Sequence, residues 1–211
     1  FSSDLLSSSS IDDYELIRAR EIVEKYGPSG INQCGIALDV HSTTAEMGSS
    51  LVIYGRRASD LALASLIQAR LGIPVYLHEG DQEQKGFLVE SWPCGLVIEI
   101  GPAPQGLLLG RIIQQTKLMI EICFQEIAKV SSGSFEFPEN LVVHRHLGSL
   151  DFPRDSNRNL EAFIHPELQG RNWHPIFKGD PLFLKSNGEV VKFEGEDGTV
   201  PVFINEAAYA E

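Results

Sequence analysis

A histidine near residue 40 has the neighbours expected of a metal ligand. Asp39 and His41 end a short predicted strand over 35–40, and the polar sequence Ser-Thr-Thr follows it. Residues two apart share one face of a strand. A neutral imidazole is a common metal ligand, and a nearby carboxylate can orient it. This segment therefore predicts either a metal ligand at His41 supported by Asp39, or a hydrogen-bonded structural histidine beside a turn.

A glutamate lies inside an apolar strand near residue 100. Glu99 is the only polar residue of the run Leu-Val-Ile-Glu-Ile (96–100), and Gly101-Pro102 follows. Burial of a carboxyl group raises its pKa toward the range of a general base, and a metal-bound water would be its natural partner. The other interpretation is a carboxylate at a strand end that caps backbone amides.

The remaining reactive side chains give weaker patterns. The tail Asn-Glu-Ala-Ala-Tyr (205–209) could line a pocket, although tails more often only pack. His144 and His146 would share a strand face and could chelate a metal. The three cysteines, Cys34, Cys94 and Cys123, are widely spaced in the chain. They indicate reduced, buried thiols in a cytoplasmic protein, with Cys94 as a less favoured catalytic thiol.

The elements that position these residues alternate along the first part of the chain. Strands are predicted over 35–40, 51–54, 75–77 and 96–100, and helices end before Gly27 and at Gly72, the second of them capped by Ser59. A longer helix is predicted over 107–130. Such alternation favours α/β layers with a largely parallel sheet.

The pattern of predicted elements changes after residue 133. Strands are predicted over 141–147 and 199–204, and Ser-Asn-Gly (186–188) joins two more in a hairpin. We therefore expect an α/β domain over 1–136 and a β-rich domain over 137–211.

Composition excludes several functions. The 17 Lys and Arg against 29 Asp and Glu give a net charge of −12, which argues against binding to nucleic acid or to an anionic membrane. No apolar run reaches the roughly 18 residues of a membrane span, and the first ten residues lack the basic region of a signal peptide.

Five segments, taken together and in order, resemble one family. They are DVHSTTAEMG (39–48), IEIGPAPQG (98–106), HPELQ (165–169), GDPLF (179–183) and PVFINEAAY (201–209). The sequence resembles the aspartoacylase and succinylglutamate desuccinylase family of zinc amidohydrolases over nearly its whole length. The resemblance implies a zinc-carboxypeptidase-like mixed sheet flanked by helices, followed by a smaller β-rich domain.

The resemblance also implies roles for single residues. His41 matches the last of three zinc ligands, and Glu99 matches the general base that activates the zinc-bound water and then protonates the leaving amine. Thr43 lies on the wall of the site, and Tyr209 contacts substrate. Glu206 matches a family residue that is expected to support the site. The complete protein would bind one zinc ion per chain.

Two family features are missing from this sequence. The other zinc ligands belong to an H-x-x-E motif, which occurs nowhere here, and the Asp-Leu-Asn-Arg segment that helps hold substrate is absent too. Phe1 fits a residue just after that segment, so we expect a chain that lacks its N-terminal portion, and we predict that the 211 residues alone are inactive.

The substrate is expected to be a small N-acyl amino acid, with N-acetyl-L-aspartate as the family default. Val89 stands where aspartate-specific members carry Arg, and Lys85 could supply a replacement charge. An N-acyl aromatic amino acid is therefore the alternative. A non-catalytic binding module and a carboxypeptidase-like peptidase are the rival functions, and a homo-oligomer is left open.

Overall fold

The structure, a computed structural model, describes residues 13–79 and 86–209. The chain divides into two compact units. The first contains Phe1–Val40, Leu51–Ile98 and Met119–His146, and the second contains His41–Ser50, Glu99–Leu118 and Leu147–Glu211.

The larger sheet is mixed, as the resemblance implies. Its order is β1 (Ile36–Ser42), β4 (Cys94–Ile100), β2 (Ser49–Tyr54), β3 (Val75–His78) and β5 (His144–Arg145). Strands β2, β3 and β5 pair in parallel. Gly101, at the end of β4, donates its backbone N–H to the carbonyl of Gly48, just before β2, at 3.0 Å. These two strands therefore run in opposite directions.

Burial accounts for the strands in the middle of this sheet. All seven residues of β4 are buried, and so are four of the six in β2. Continuous apolar runs are typical of strands that are covered on both faces. Glu99 is the one carboxylate in the fully buried strand β4.

Three α-helices of residues 13–79 and 86–209 accompany the sheet, and local chemistry sets their ends. Helix α1 (Tyr14–Tyr26) is capped by Asp13, whose carboxylate accepts from the backbone N–H of Glu15 at 2.9 Å. Helix α2 (Ala58–Leu71) ends at Gly72, which adopts the left-handed conformation with φ 63°. Helix α3 spans Gly110–Ser132.

The second unit contains a smaller antiparallel sheet. Its order is β6 (Ala162–Ile164), β7 (Pro181–Lys185) and β8 (Val190–Lys192). The predicted hairpin is confirmed, since β7 and β8 pair across residues 186–189. A core of buried side chains lies with this sheet: Ala162, Leu168, Ile176, Leu182, Phe183, Phe193 and Ile204.

Two predicted strands are wrong in extent. Only His144–Arg145 of the run 141–147 is a strand, because the Gln68 side chain accepts from the N–H of Val142 and donates to its carbonyl. Residues 199–204 form no strand beyond an isolated bridge between Ile176 and Thr199. Pro201 lacks an N–H, and Phe203 has φ 55°, which no extended strand accommodates.

Two local predictions also need correction. Helix α2 begins at Ala58 with Arg57 at the N-cap, and the hydroxyl of Ser59 donates to the carbonyl of Pro93 at 2.6 Å instead of capping the helix. Helix α3 begins at Gly110, three residues later than predicted, because Leu107 closes a turn on Pro104. Within the described residues, no helix is both long and apolar enough to cross a bilayer.

Candidate active site

His41 and Glu99 lie on neighbouring strands in the same register. The N–H of Cys94 bonds to the carbonyl of Gly35 at 3.2 Å, and the N–H of Thr43 bonds to the carbonyl of Ile100 at 3.1 Å. Both bonds show that β1 and β4 are parallel, and both give one register, in which His41 is opposite Glu99. Residues opposite each other in a sheet share a face, so the imidazole-bearing and carboxylate-bearing residues belong to one face of this strand pair.

These two residues differ in their exposure to water. The side chain of Glu99 lies in a fully buried strand and is only 8% exposed, whereas His41 is exposed on β1, which is an edge strand of the described sheet. A buried carboxylate beside an accessible imidazole is an arrangement that can transfer a proton to a small molecule at the strand ends.

Thr43 fixes the ends of the two strands. Its side chain is 2% exposed, and its carbonyl accepts from the N–H of Ala103 at 2.8 Å. Gly101 packs against it so closely that a Cβ there would lie 2.6 Å from Thr43 Cγ2 and 2.7 Å from the carbonyl oxygen of Ala45. No other residue fits at position 101 without moving the backbone.

Glu206 joins the C-terminal segment to the turn after β1. Its Oε2 atom accepts from the hydroxyl of Thr43, from the N–H of Thr44 at 2.8 Å and from the N–H of Ala45 at 3.2 Å. In return the Thr44 hydroxyl accepts from the N–H of Ala207 at 2.9 Å. Glu206 is therefore bound to the backbone in the manner of a supporting residue.

The hydrogen bonds determine the charge state of Glu206. Burial alone would raise the pKa of this carboxyl, but the bonds from Thr43, Ala45 and Thr44 favour the ionised form and together hold the pKa below its usual value. Glu206 is therefore a carboxylate at neutral pH.

The remaining predicted site residues are Asp39, Tyr209 and Lys85. Asp39 is half-buried on β1, two residues before His41. Tyr209 ends a short 3₁₀ helix, Ala207–Tyr209, that follows Glu206. Lys85 lies outside the described residues. Sequence reasoning missed Thr44 and Ala45 as partners of Glu206, because backbone amides carry no signal of their own in a sequence.

The described residues do not fit a complete zinc site. A catalytic zinc needs three protein ligands, and no group of three or more His, Cys, Asp or Glu that could hold a metal occurs in residues 13–79 and 86–209. His41 can serve as one ligand only.

The cysteines differ in part from the prediction. Cys94 and Cys123 are buried and free as expected, but Cys34 is exposed. Burial, followed by the nearby charge of Asp60, raises the pKa of the Cys94 thiol to about 11. A thiol that stays protonated at neutral pH is a poor nucleophile, so Cys94 is not a reactive thiol.

Comparison with known proteins identifies the family of this chain. Residues 1–127 match the succinylglutamate desuccinylase/aspartoacylase catalytic domain, and residues 139–211 match the AstE/AspA barrel-sandwich hybrid domain. The chain belongs to the succinylglutamate desuccinylase/aspartoacylase family. The family resemblance inferred from five sequence segments is thereby confirmed.

Curated relatives of this chain include two proteins named probable aspartoacylase. A probable aspartoacylase of Prochlorococcus marinus (strain MIT 9313) is 59% identical over the whole chain, which spans 69% of that relative. A probable aspartoacylase of Parasynechococcus marenigrum (strain WH8102) is 52% identical, again over the whole chain and over 70% of the relative.

A solved structure of the family supports the fold. The crystal structure of murine aminoacylase 3 matches with a TM-score of 0.85 at 31% identity, over 99% of this chain and 71% of that one. The fold class, a mixed zinc-carboxypeptidase-like sheet flanked by helices and followed by a smaller β-rich part, is thus confirmed. The predicted boundary at residue 136 stays a prediction.

Proposed function

We propose that this protein hydrolyses the amide bond of N-acyl amino acids. The observation that carries the proposal is the register of β1 and β4, which puts His41 opposite the buried Glu99 beside the turn fixed by Thr43. Family membership supports the same reaction, since relatives bear the names probable aspartoacylase and aminoacylase 3.

Glu99 is the proposed acid–base residue. Amide hydrolysis needs a proton to leave the attacking water and another to reach the departing amine, and one carboxyl group can do both in turn. Glu99 suits this role because it is almost completely buried, while the strand that carries it ends at a rigid turn. Thr43, Tyr209 and Lys85 are proposed to contact the substrate.

The proposed hydrolysis requires a zinc ion. His41 would supply one ligand, and the described residues do not provide the rest of a metal site. We therefore expect the 211-residue chain alone to bind no stoichiometric zinc and to lack amidase activity. The protein expressed from its full coding sequence should bind about one zinc ion per chain. Cytoplasmic location also stays a prediction.

N-acetyl-L-aspartate is the proposed substrate, because the curated relatives bear the name probable aspartoacylase. One observation favours N-acyl aromatic amino acids as a second candidate. Val89, where the resemblance places an arginine, is an apolar residue that is only 3% exposed. Comparing hydrolysis of N-acetylaspartate with that of an N-acetyl aromatic amino acid decides between them.

The substitution Glu99→Gln tests the mechanism. General acid–base catalysis contributes roughly 10²–10⁴-fold to a rate, so kcat should fall by about that factor in the protein expressed from its full coding sequence. Zinc content, measured by atomic absorption, should not change.

The matched control is Glu196→Gln, an exposed glutamate outside the site. It should leave kcat within about twofold of the unsubstituted protein. Near-normal activity of Glu99→Gln would refute the assigned role. A protein that hydrolyses no N-acyl amino acid even when zinc is bound would instead favour the non-catalytic binding module.

A further inference from the structure

Asn172 and Trp173 make a second connection between the two segments that Glu206 joins. The Oδ1 atom of Asn172 accepts from the N–H of Ile204 at 3.0 Å. The indole Nε1–H of Trp173 donates to the carbonyl of Met47 at 2.8 Å. One residue thus holds the C-terminal segment and its neighbour holds the turn after β1.

These contacts are buried and anchored. Asn172 is 3% exposed, Ile204 is 6% exposed and Met47 is 4% exposed. Leu168, four residues before Asn172, belongs to the apolar core of the smaller sheet. The backbone N–H of Trp173 also donates to the carbonyl of Pro201 at 3.1 Å. The two residues therefore connect two loops to a segment that is anchored in the apolar core.

The backbone of the same segments is held in unfavourable conformations. Trp173 has φ 67° and Phe203 has φ 55°, while Asn205, a residue type that tolerates this region, has φ 59°. Positive φ is rare for bulky residues and persists only where surrounding contacts enforce it. In the described part of the chain only one other non-glycine residue, Arg158, has a positive φ. This concentration of strain marks the region as one whose geometry is imposed.

Gly170, two residues before Asn172, is also closely packed. Gly170 has φ 76°, and a Cβ there would lie 2.8 Å from the Oε2 atom of Glu46. The segment that carries Asn172 and Trp173 thus lies directly against the loop that contains Ala45 and Met47. The loop is held by Glu206 at one point and by Trp173 at another.

We propose that Asn172 and Trp173 form a positioning pair, which sets Glu206 and Thr43 in place beside His41 and Glu99 without touching the substrate. The inference rests on the proposed function, because positioning has meaning only if these residues form an active site. Reaction rates depend steeply on such geometry, since a displacement of about 1 Å can cost about a hundredfold in rate.

Kinetics of the protein expressed from its full coding sequence test the pair. Trp173→Phe keeps an aromatic ring but removes the indole N–H, and we expect kcat per folded molecule to fall about tenfold with KM within about twofold. Asn172→Ala, which removes the acceptor of the Ile204 N–H, should have the same effect on kcat and KM.

Trp92→Phe is the matched control. The indole of Trp92 also donates to a backbone carbonyl, that of Tyr26, at 3.1 Å, and Trp92 is 5% exposed, but it belongs to the first unit. It should lower thermal stability without changing kcat per folded molecule. Equal kcat values for Trp173→Phe and Trp92→Phe would overturn the proposal.

NMR gives a test that does not depend on activity. In ¹⁵N-labelled protein the indole signal lost in Trp173→Phe identifies Trp173. Glu206→Gln should shift this signal and speed its hydrogen exchange about tenfold, while the Trp92 signal stays unchanged. If the Trp173 signal does not respond, the pair does not act through Glu206. If it responds in a protein without amidase activity, the coupling is real and the proposed function is wrong.

Discussion

The turn after β1 and the aromatic cluster of the first unit both bring polar side chains together, but different contacts hold them. In the turn, Glu206 accepts from backbone amides and from the Thr43 hydroxyl. The cluster contains Tyr54, Tyr76, His78, Phe87 and His146. Its rings pack on one another, with centroids of Tyr54 and Phe87 4.1 Å apart and those of His78 and His146 5.0 Å apart.

The polar side chains of the turn bind backbone atoms, whereas those of the aromatic cluster contact other side chains. In the turn, backbone atoms of Thr43, Thr44 and Ala45 are hydrogen-bond partners. We therefore expect a change there to affect the strand ends that carry His41 and Glu99. In the cluster, a hydrogen bond between two side chains joins the Tyr76 hydroxyl to Nδ1 of His146 at 2.6 Å. Rings that pack on other rings tolerate changes that keep their volume.

The possible chelate of His144 and His146 belongs to this second region. His146 lies against Tyr76 and His78, and no set of three metal-ligating residues includes either histidine among the described residues. Burial lowers the pKa of His144, so it stays neutral at physiological pH. The cluster is best described as a packed aromatic layer.

Among the substitutions that compare the two regions, Gly101→Ala should cause the largest loss of stability. The added Cβ would meet Thr43 and the Ala45 carbonyl at under 3 Å, and we expect a loss of about 3 kcal/mol in the free energy of unfolding. Urea denaturation measures it. Gly106→Ala is a useful contrast, because a Cβ added at Gly106 would have no atom within 4 Å, although its φ of 81° adds some strain. A loss for Gly101→Ala no larger than that for Gly106→Ala would contradict the close packing.

Glu206→Gln should give an intermediate effect that depends on pH. The pKa of Glu206 is lowered in the folded protein from an ordinary value of 4.5, so its stabilisation is complete above that pH and is lost as the pH falls through the lower folded value. We expect the variant to be about 1–2 kcal/mol less stable at pH 7. The gap between the two proteins should close as the pH falls below the lowered pKa of Glu206, because the carboxyl group is then protonated in both the folded and the unfolded protein.

Urea denaturation at a series of pH values measures this gap. Glu196→Gln again serves as the control, since that side chain is exposed. A gap that stays constant from pH 7 to acid would mean that the ionised form of Glu206 is not what binds the turn.

Tyr76→Phe should have the smallest effect. It removes the hydroxyl that bonds to His146 and keeps the ring, so we expect a loss of about 1 kcal/mol in stability and no change in kcat. Thermal unfolding and an amidase assay check the two parts. A large loss of activity would show that the aromatic cluster contributes to catalysis, and the contrast between the two regions would then fail.

Much of the framework could be predicted from local patterns. The apolar run around Glu99 predicts β4 because burial on both faces selects continuous apolar residues. The hairpin of β7 and β8 follows from Ser-Asn-Gly, which favours a tight turn. The predicted strand over 199–204 is wrong because Pro201 lacks an N–H and Phe203 has a positive φ, and a bulky residue such as Phe gives no local signal of a positive φ.

The order of the amino acids was enough to establish the chemistry available, the family and most of the strands, because side-chain type and hydrophobic period are local properties. It also singled out His41, Glu99, Thr43 and Glu206, whose roles stay predictions. Folding was needed to put His41 opposite Glu99, to bind Glu206 to the amides after Thr43, and to let Asn172 and Trp173 hold the same two segments. These are contacts between residues far apart in the chain, and their hydrogen bonds form only when specific backbone atoms come within about 3 Å.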